Sequence, residues 1–250
     1  MNKNKLLSRR QALRDIGLAT AMGAGALAGL APTKTAKAGG PPEDIFLLGD
    51  SFRVGGYQRD INGDLVLDMF DNPIYEPEKG WQYHLEMLAP EFNFLSLLNS
   101  YGDPEPSNGT PYLLNHIDDI VAAYPPAPGK KMIIATGLWD ASIYVLNTPL
   151  SVYTSRINDI TNQLKNTHGY DVRWLATTGV DNRVFPVTAA RVAWQNEALH
   201  EMGDALDVPV HTTMYLQRRG NWQWDYGGAH FDVPGFAKMA QSIYDWIEDW

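Results

Sequence analysis

The chain reads as an α/β protein built on a five-stranded, mostly parallel sheet with helices over both faces. Two observations predict this. Short apolar runs alternate along the chain with longer segments whose apolar residues recur three and four positions apart. The runs are also too far apart for tight hairpins, so successive strands need crossover helices, and a sheet made this way is buried on both sides.

The predicted strands are Asp44-Ile-Phe-Leu-Leu, Phe92-Asn-Phe-Leu-Ser-Leu-Leu, Lys131-Met-Ile-Ile-Ala-Thr, Val172-Arg-Trp-Leu-Ala-Thr and Val208-Pro-Val-His-Thr-Thr. The predicted helices are Trp81 to Leu88, Leu113 to Tyr124, Val152 to Asn166, Ala189 to Leu206 and Pro234 to Trp250. In such a sheet the functional site lies at the carboxyl ends of the strands. No internal repeat or low-complexity linker is evident. One segment breaks the alternation, a polar insertion at about residues 55–80, from Gly55 to Gly80, between the first strand and the first helix. Its position makes it overhang the site edge. Within it Asp60, Asn62, Asp64, Asp68 and Asp71 fall at the offsets of a calcium loop, but Leu65 stands where that loop needs glycine. A solvated acidic loop and a calcium loop are both open readings.

Residues 1–38 do not read as fold. Lys3, Lys5, Arg9 and Arg10 precede an apolar run from Ile16 to Leu30, and Ala36-Lys37-Ala38 offers small residues for cleavage. The Arg9-Arg10 pair before the apolar run is the pattern of a twin-arginine leader, with an ordinary secretory leader as the alternative. The run is too short, and too broken by Gly and Pro32, to anchor in a membrane. The expectation is an exported, periplasmic or secreted protein whose mature part, residues 39–250, is one domain without membrane insertion.

Removing residues 1–38 takes seven of 20 basic residues and one of 29 acidic ones, leaving a net charge of −15. A surface so acidic disfavours nucleic acid and anionic lipid and suits a neutral substrate. There are no cysteines, hence no disulfides and no thiolate metal site. His84, His116, His168, His200 and His211 show no paired metal spacing and read as structural or surface groups, and no cofactor is expected; calcium in the insertion is the one metal left open.

Two motifs carry chemistry. Leu47-Leu48-Gly49-Asp50-Ser51-Phe52 closes the first strand, where glycine permits a tight turn and the Ser51 hydroxyl would emerge at the site edge. Far downstream, His230 lies in Gly228-Ala-His-Phe-Asp232-Val-Pro-Gly235-Phe, just before the last helix. It is the candidate base for Ser51.

The order of Ser51 and His230, with Gly235 five residues after the histidine, resembles the GDSL/SGNH hydrolases. The resemblance spans about residues 44–250 and implies a three-layer α/β/α sandwich of flavodoxin-like topology with a serine esterase mechanism. Gly137-Leu-Trp139-Asp140-Ala141 and His230-Phe-Asp-Val-Pro-Gly235 are similar to the Trp-Asp block and His-x-x-x-Pro-Gly of the PC-esterase branch, which includes polysaccharide O-acetyltransferases and related esterases.

By that resemblance the oxyanion would rest on the backbone N–H groups of Ser51 and Gly102. Trp139 stands where the family's oxyanion asparagine does, and Asn99 is a candidate replacement. The family's acid precedes the histidine by three residues, where this chain has Gly227. Asp225 restores the arrangement if Tyr226-Gly227 is an insertion; Asp232, Asp140 or a dyad with no acid are the alternatives.

Asn221-Trp222-Gln-Trp224-Asp-Tyr226 lies directly before His230, and Tyr57, Tyr75, Trp81, Tyr101 and Trp139 lie near other site loops. Aromatic faces beside polar neighbours suit sugar rings, with core packing as the other reading. Trp139, Asp140, Trp224 and Arg183 are the candidate substrate contacts. The expected activity is removal of acyl groups, acetyl above all, from carbohydrate or a small ester. A polysaccharide O-acyltransferase using the same residues and a non-catalytic carbohydrate-binding protein are the alternatives, and the sequence leaves oligomeric state open.

Overall fold

The computed structural model describes residues 41–49, 56–58, 60, 64–76, 79–96, 109–142, 146–176, 189–211, 225–226 and 230–250. The leader expected over residues 1–38 lies outside them. Strand β1 (Glu43–Gly49) runs through the sheet interior, with every residue from Ile45 to Gly49 buried. It pairs in parallel with β4 (Phe92–Ser96) on one side and β5 (Lys131–Ala135) on the other. Strands β6 (Asp171–Leu175) and β7 (Val210–His211) follow, each parallel to its neighbour. The order β4-β1-β5-β6-β7 makes a five-stranded parallel sheet of the predicted kind.

The alternation of side chains along a strand divides the core in two. From β1, Phe46 and Leu48 join Met132, Ile134, Val172 and Trp174 on one face. That face is covered by α2 (Thr110–Asn115), α3 (Ile117–Ala123), α5 (Leu150–Thr161) and α6 (Ala189–Leu206). Ile45 and Leu47 point the other way, onto Trp81 and Leu85 of α1 (Trp81–Leu88) and Phe236, Met239 and Ile243 of α7 (Val233–Ile247). Two helical layers around one sheet give the expected α/β/α sandwich. Trp81, one of the aromatics considered for the site, is 2% exposed and belongs to this core.

Two predicted helices are broken. The one expected from Leu113 to Tyr124 divides at His116, whose ring stacks on Tyr112 and whose Nδ1 lies 2.9 Å from the Tyr112 carbonyl oxygen. The helix expected to Asn166 passes at Thr161 into a π-helical turn, Asn162–Thr167. Thr161 Oγ1 donates back to the Ile157 carbonyl (2.7 Å) and accepts from the buried Trp174 indole (3.0 Å). Threonine back-bonding of this sort bends a helix, and here it also satisfies the tryptophan donor.

The amino edge of the sheet is closed by the tail of α7. Arg173 lies over the rings of Trp246 (5.3 Å) and Trp250 (4.3 Å), and donates to the Trp246 carbonyl (2.9 Å). Lys131 donates to the Trp250 carbonyl (2.7 Å) and pairs with Glu43 (2.5 Å). The Trp250 indole donates to Asp171 (2.6 Å). These cation and aromatic contacts consume the charges at the end of the sheet opposite the candidate site.

The insertion is an ordered hairpin rather than a featureless loop. Strands β2 (Gly56–Tyr57) and β3 (Tyr75–Glu76) pair antiparallel at its root. Above them one kind of aspartate turn recurs eight residues on. Asp60 Oδ1 accepts from Asp64 N (2.9 Å) while Asp60 N donates to Asp64 O (2.9 Å). Eight residues on, Asp68 Oδ1 accepts from Asn72 N (2.9 Å) and Asp68 N donates to Asn72 O (2.8 Å). Gln58, Val66 and Ile74, also eight apart, close a triangle of backbone bonds: Gln58 N to Ile74 O, Val66 N to Gln58 O, and Ile74 N to Val66 O. The aspartates are thus turn-formers bonding their own backbone. Among the described residues no three acidic or histidine side chains are placed to hold a metal ion.

The fold also buries two histidines. Burial drives the His84 imidazole down from its ordinary 6.5 to about 4, with Lys79 adding to the shift and Glu76 opposing it. Burial lowers His211 as well, against the pull of Asp245. The unfolded chain therefore takes up protons near pH 6.5 that the folded chain refuses. Stability should be full above pH about 7 and fall steadily from pH about 6.5 towards 4. Thermal melts across this range should show a shallower fall in His84→Gln than in the parent. An unchanged slope would rule out His84 as a source.

Candidate active site

The strand order places the site. Between the first two parallel connections the chain leaves β1 for one neighbour, β4, and returns on the other side at β5. The crevice at such a reversal, beyond the carboxyl ends of the strands, is where open α/β sheets bind ligands. Two sequence motifs lie there, one after β1 and one after β5.

Gly49 ends β1 with φ +119°, a conformation that favours glycine. It also approaches β5 so closely that a Cβ at this position would lie 2.0 Å from the Ala135 carbonyl oxygen. The turn out of β1 therefore requires this glycine twice over, and Ser51 follows two residues later. Ser51, Asn99, Gly102, Arg183 and Trp224 all lie outside the described residues, as does Tyr101.

After β5, Gly137 turns the chain with φ +130° into the short helix α4 (Leu138–Ala141). Asp140 in this helix is fully buried. Its Oδ2 accepts from Thr110 N (2.8 Å), and its Oδ1 accepts from the hydroxyls of Thr110 (2.7 Å) and Thr148 (3.0 Å). Arg156 stands 3.7 Å away. Asp140 was a candidate substrate contact and a candidate acid. Its carboxylate is instead spent on the start of α2 and the approach to α5, bracing three segments of the site rim against one another. Trp139, beside it, is half-buried.

The brace extends to α6. The Gln195 side-chain amide, oriented to satisfy both partners, donates to the Gly137 carbonyl (3.0 Å) and accepts from Ala141 N (3.1 Å). Arg191 donates to the Thr148 carbonyl (3.0 Å). Gly109 is tight here too, since a Cβ would meet Leu146 at 2.4 Å and Asp140 at 3.2 Å. Thr110, Thr148, Gln195 and Gly109 were missed in the sequence. They are common residue types whose roles come only from distant partners.

His230 begins the two-residue strand β9 (His230–Phe231), which pairs antiparallel with β8 (Asp225–Tyr226). The register sets Tyr226 opposite His230 and Asp225 opposite Phe231. This pairing leaves Asp225 and His230 one register step apart. The spacing from His230 to Gly235 has a packing cause. A Cβ on Gly235 would come within 2.8 Å of Phe231, so the bare backbone lets the residue after the histidine seat on the first turn of α7.

Asp232 joins the two halves of the site. Its side chain is fully buried, and Oδ1 accepts from Tyr57 N (3.1 Å). The donor is six residues beyond Ser51 and the acceptor two residues beyond His230.

No protein-family model matches the chain, and no curated protein matches it in sequence. Solved structures do resemble it. A lipase/acylhydrolase from Enterococcus faecalis has 17% identity and a TM-score of 0.60, over 83% of this chain and 96% of that one. A carbohydrate acetylesterase from Sinorhizobium meliloti has 16% identity and a TM-score of 0.54, over 83% and 99%. An acetylxylan esterase from Geobacillus stearothermophilus has 14% identity and a TM-score of 0.56, over 82% and 94%. At these identities the likeness is one of fold, and the α/β/α sandwich implied by the sequence motifs is met at that level.

Two substitutions test the geometry. Gly49→Ala combines positive-φ strain with a backbone clash and should cost about 3 kcal/mol. Asp140→Ala strands the buried Thr110 and Thr148 donors and should also cost about 3 kcal/mol. At this chain length each corresponds to a melting point lower by about 6–12 °C. Melting points within 2 °C of the parent would show that these contacts do not hold the rim.

Proposed function

We propose that this chain is a serine ester hydrolase of the GDSL/SGNH kind that removes acyl groups, acetyl above all, from carbohydrate. The observation that carries the reading is the Tyr57–Asp232 bond. It ties the segment following Ser51 to the segment following His230, at the reversal point of the sheet. The fold shared with acetylesterases supports the same reading.

In this mechanism His230 takes the proton of Ser51 as its oxygen attacks the ester carbonyl, and the resulting imidazolium returns that proton to the leaving alkoxide. An acyl-enzyme remains. Water, deprotonated by His230, attacks it and releases the acid. The oxyanion rests on the backbone N–H groups of Ser51 and Gly102, with Asn99 supplying the donor that Trp139 does not reproduce. Asp225 orients His230. The buried brace gives Asp140 separate work.

The leader at residues 1–38 directs export, by the twin-arginine route that Arg9-Arg10 suggests. The acidic mature chain then meets a neutral, acylated polymer or oligomer outside the cytoplasm.

Hydrolysis of p-nitrophenyl acetate and of acetylated xylo-oligosaccharides tests the assignment. Ser51→Ala and His230→Ala should each lower kcat by at least about 10³-fold. Turnover that persists in both variants would refute it. A fluorophosphonate should label Ser51 and no other serine.

A further inference from the structure

The insertion hairpin does more than overhang the site. Its root carries Tyr57 directly opposite Tyr75 on the paired strands β2 and β3. Residues directly opposite in an antiparallel pair project from the same face. The two rings lie 5.2 Å apart at their centroids, tilted by 58°, and both tyrosines are half-buried. This face cannot swing freely, because Tyr57 N–H is bonded to the buried carboxylate of Asp232, two residues from His230. On its other flank Tyr57 is six residues from Ser51. Of the other aromatics the sequence suggested, Trp81 is consumed by the core.

We infer that the Tyr57–Tyr75 face is a sugar-binding subsite, seating a pyranose ring of the substrate next to the reacting ester. The chemistry of the face favours a sugar over a long acyl chain. An acyl chain wants a continuous apolar lining, whereas tyrosine offers an apolar ring with a polar tip. A pyranose presents the matching pair, C–H groups on its face and hydroxyls at its rim. The net charge of −15 in residues 39–250 disfavours a sugar bearing phosphate or carboxylate. The placement beside the ester rests on the esterase reading; the affinity for sugar does not.

The test uses two substrates and one binding measurement on the full chain. Kinetics compare acetylated xylotetraose with p-nitrophenyl acetate, which has no sugar. Tyr57→Ala and Tyr75→Ala should each lower kcat/KM on the oligosaccharide about tenfold more than on p-nitrophenyl acetate, through KM. Tyr75→Phe should recover most of the loss, since it keeps the ring. Equal losses on both substrates, or an unmoved KM, would overturn the subsite and leave the hairpin a structural support.

Calorimetry with unacetylated tetrasaccharides of β-1,4-linked xylose, glucose and N-acetylglucosamine separates this idea from the esterase reading. Binding by the parent that Tyr75→Ala weakens about tenfold supports the subsite even if no ester is cleaved. Absence of binding to all three sinks the subsite, even where Ser51-dependent esterase activity stands.

Discussion

The structure depends on how β1 stops. Both faces of this strand are apolar, so the alternation that fixes register in a half-exposed strand has little to say here. Sliding β1 by one residue would exchange Ile45 and Leu47 for Phe46 and Leu48 across two equally greasy layers. What forbids the slip is Gly49. Only a residue without Cβ fits against the Ala135 carbonyl, and only a glycine readily takes the φ of +119° that turns the chain away. The same constraint therefore sets the register of the central strand and the point at which the chain leaves it for Ser51.

Around that exit the rim is built from buried polar contacts. Asp140 holds the starts of two segments, Gln195 holds the turn that carries Asp140, and Arg191 reaches the Thr148 carbonyl. Such groups stabilise a structure only when all are satisfied together, since each lone buried donor or acceptor costs more than its bond returns. A rim of this kind is rigid by construction. Rigid placement suits the acyl transfer proposed for this site, because donors aimed at a developing oxyanion act only if they do not have to reorganise.

The insertion solves a different problem, how to make a polar, Gly- and Asp-rich segment keep a shape. It does so by repeating one aspartate turn and by closing a backbone triangle through Gln58, Val66 and Ile74. Asp60 and Asp68 go into these local turns. Its root is then pinned to Asp232, so the segment belongs to the site mechanically.

Much of the fold was legible because it follows from patterns that reside in the sequence itself. The five strands and five helical segments are periodicities of apolar residues, and burial simply rewards them. The Ser51 and His230 motifs were proposed from their spacings from a strand end and a helix start. Where the sequence misled, a distant partner intervened. His116 and Tyr112 stack and divide one helix, and Thr161 bends another to meet Trp174. Whether Asp140 faced a ligand or the interior, and whether Trp81 stood at a site loop or in the core, was likewise decided only in three dimensions. A side chain's type sets the bonds it can make, but which groups arrive to make them depends on segments up to 175 residues away, as Tyr57 and Asp232 show.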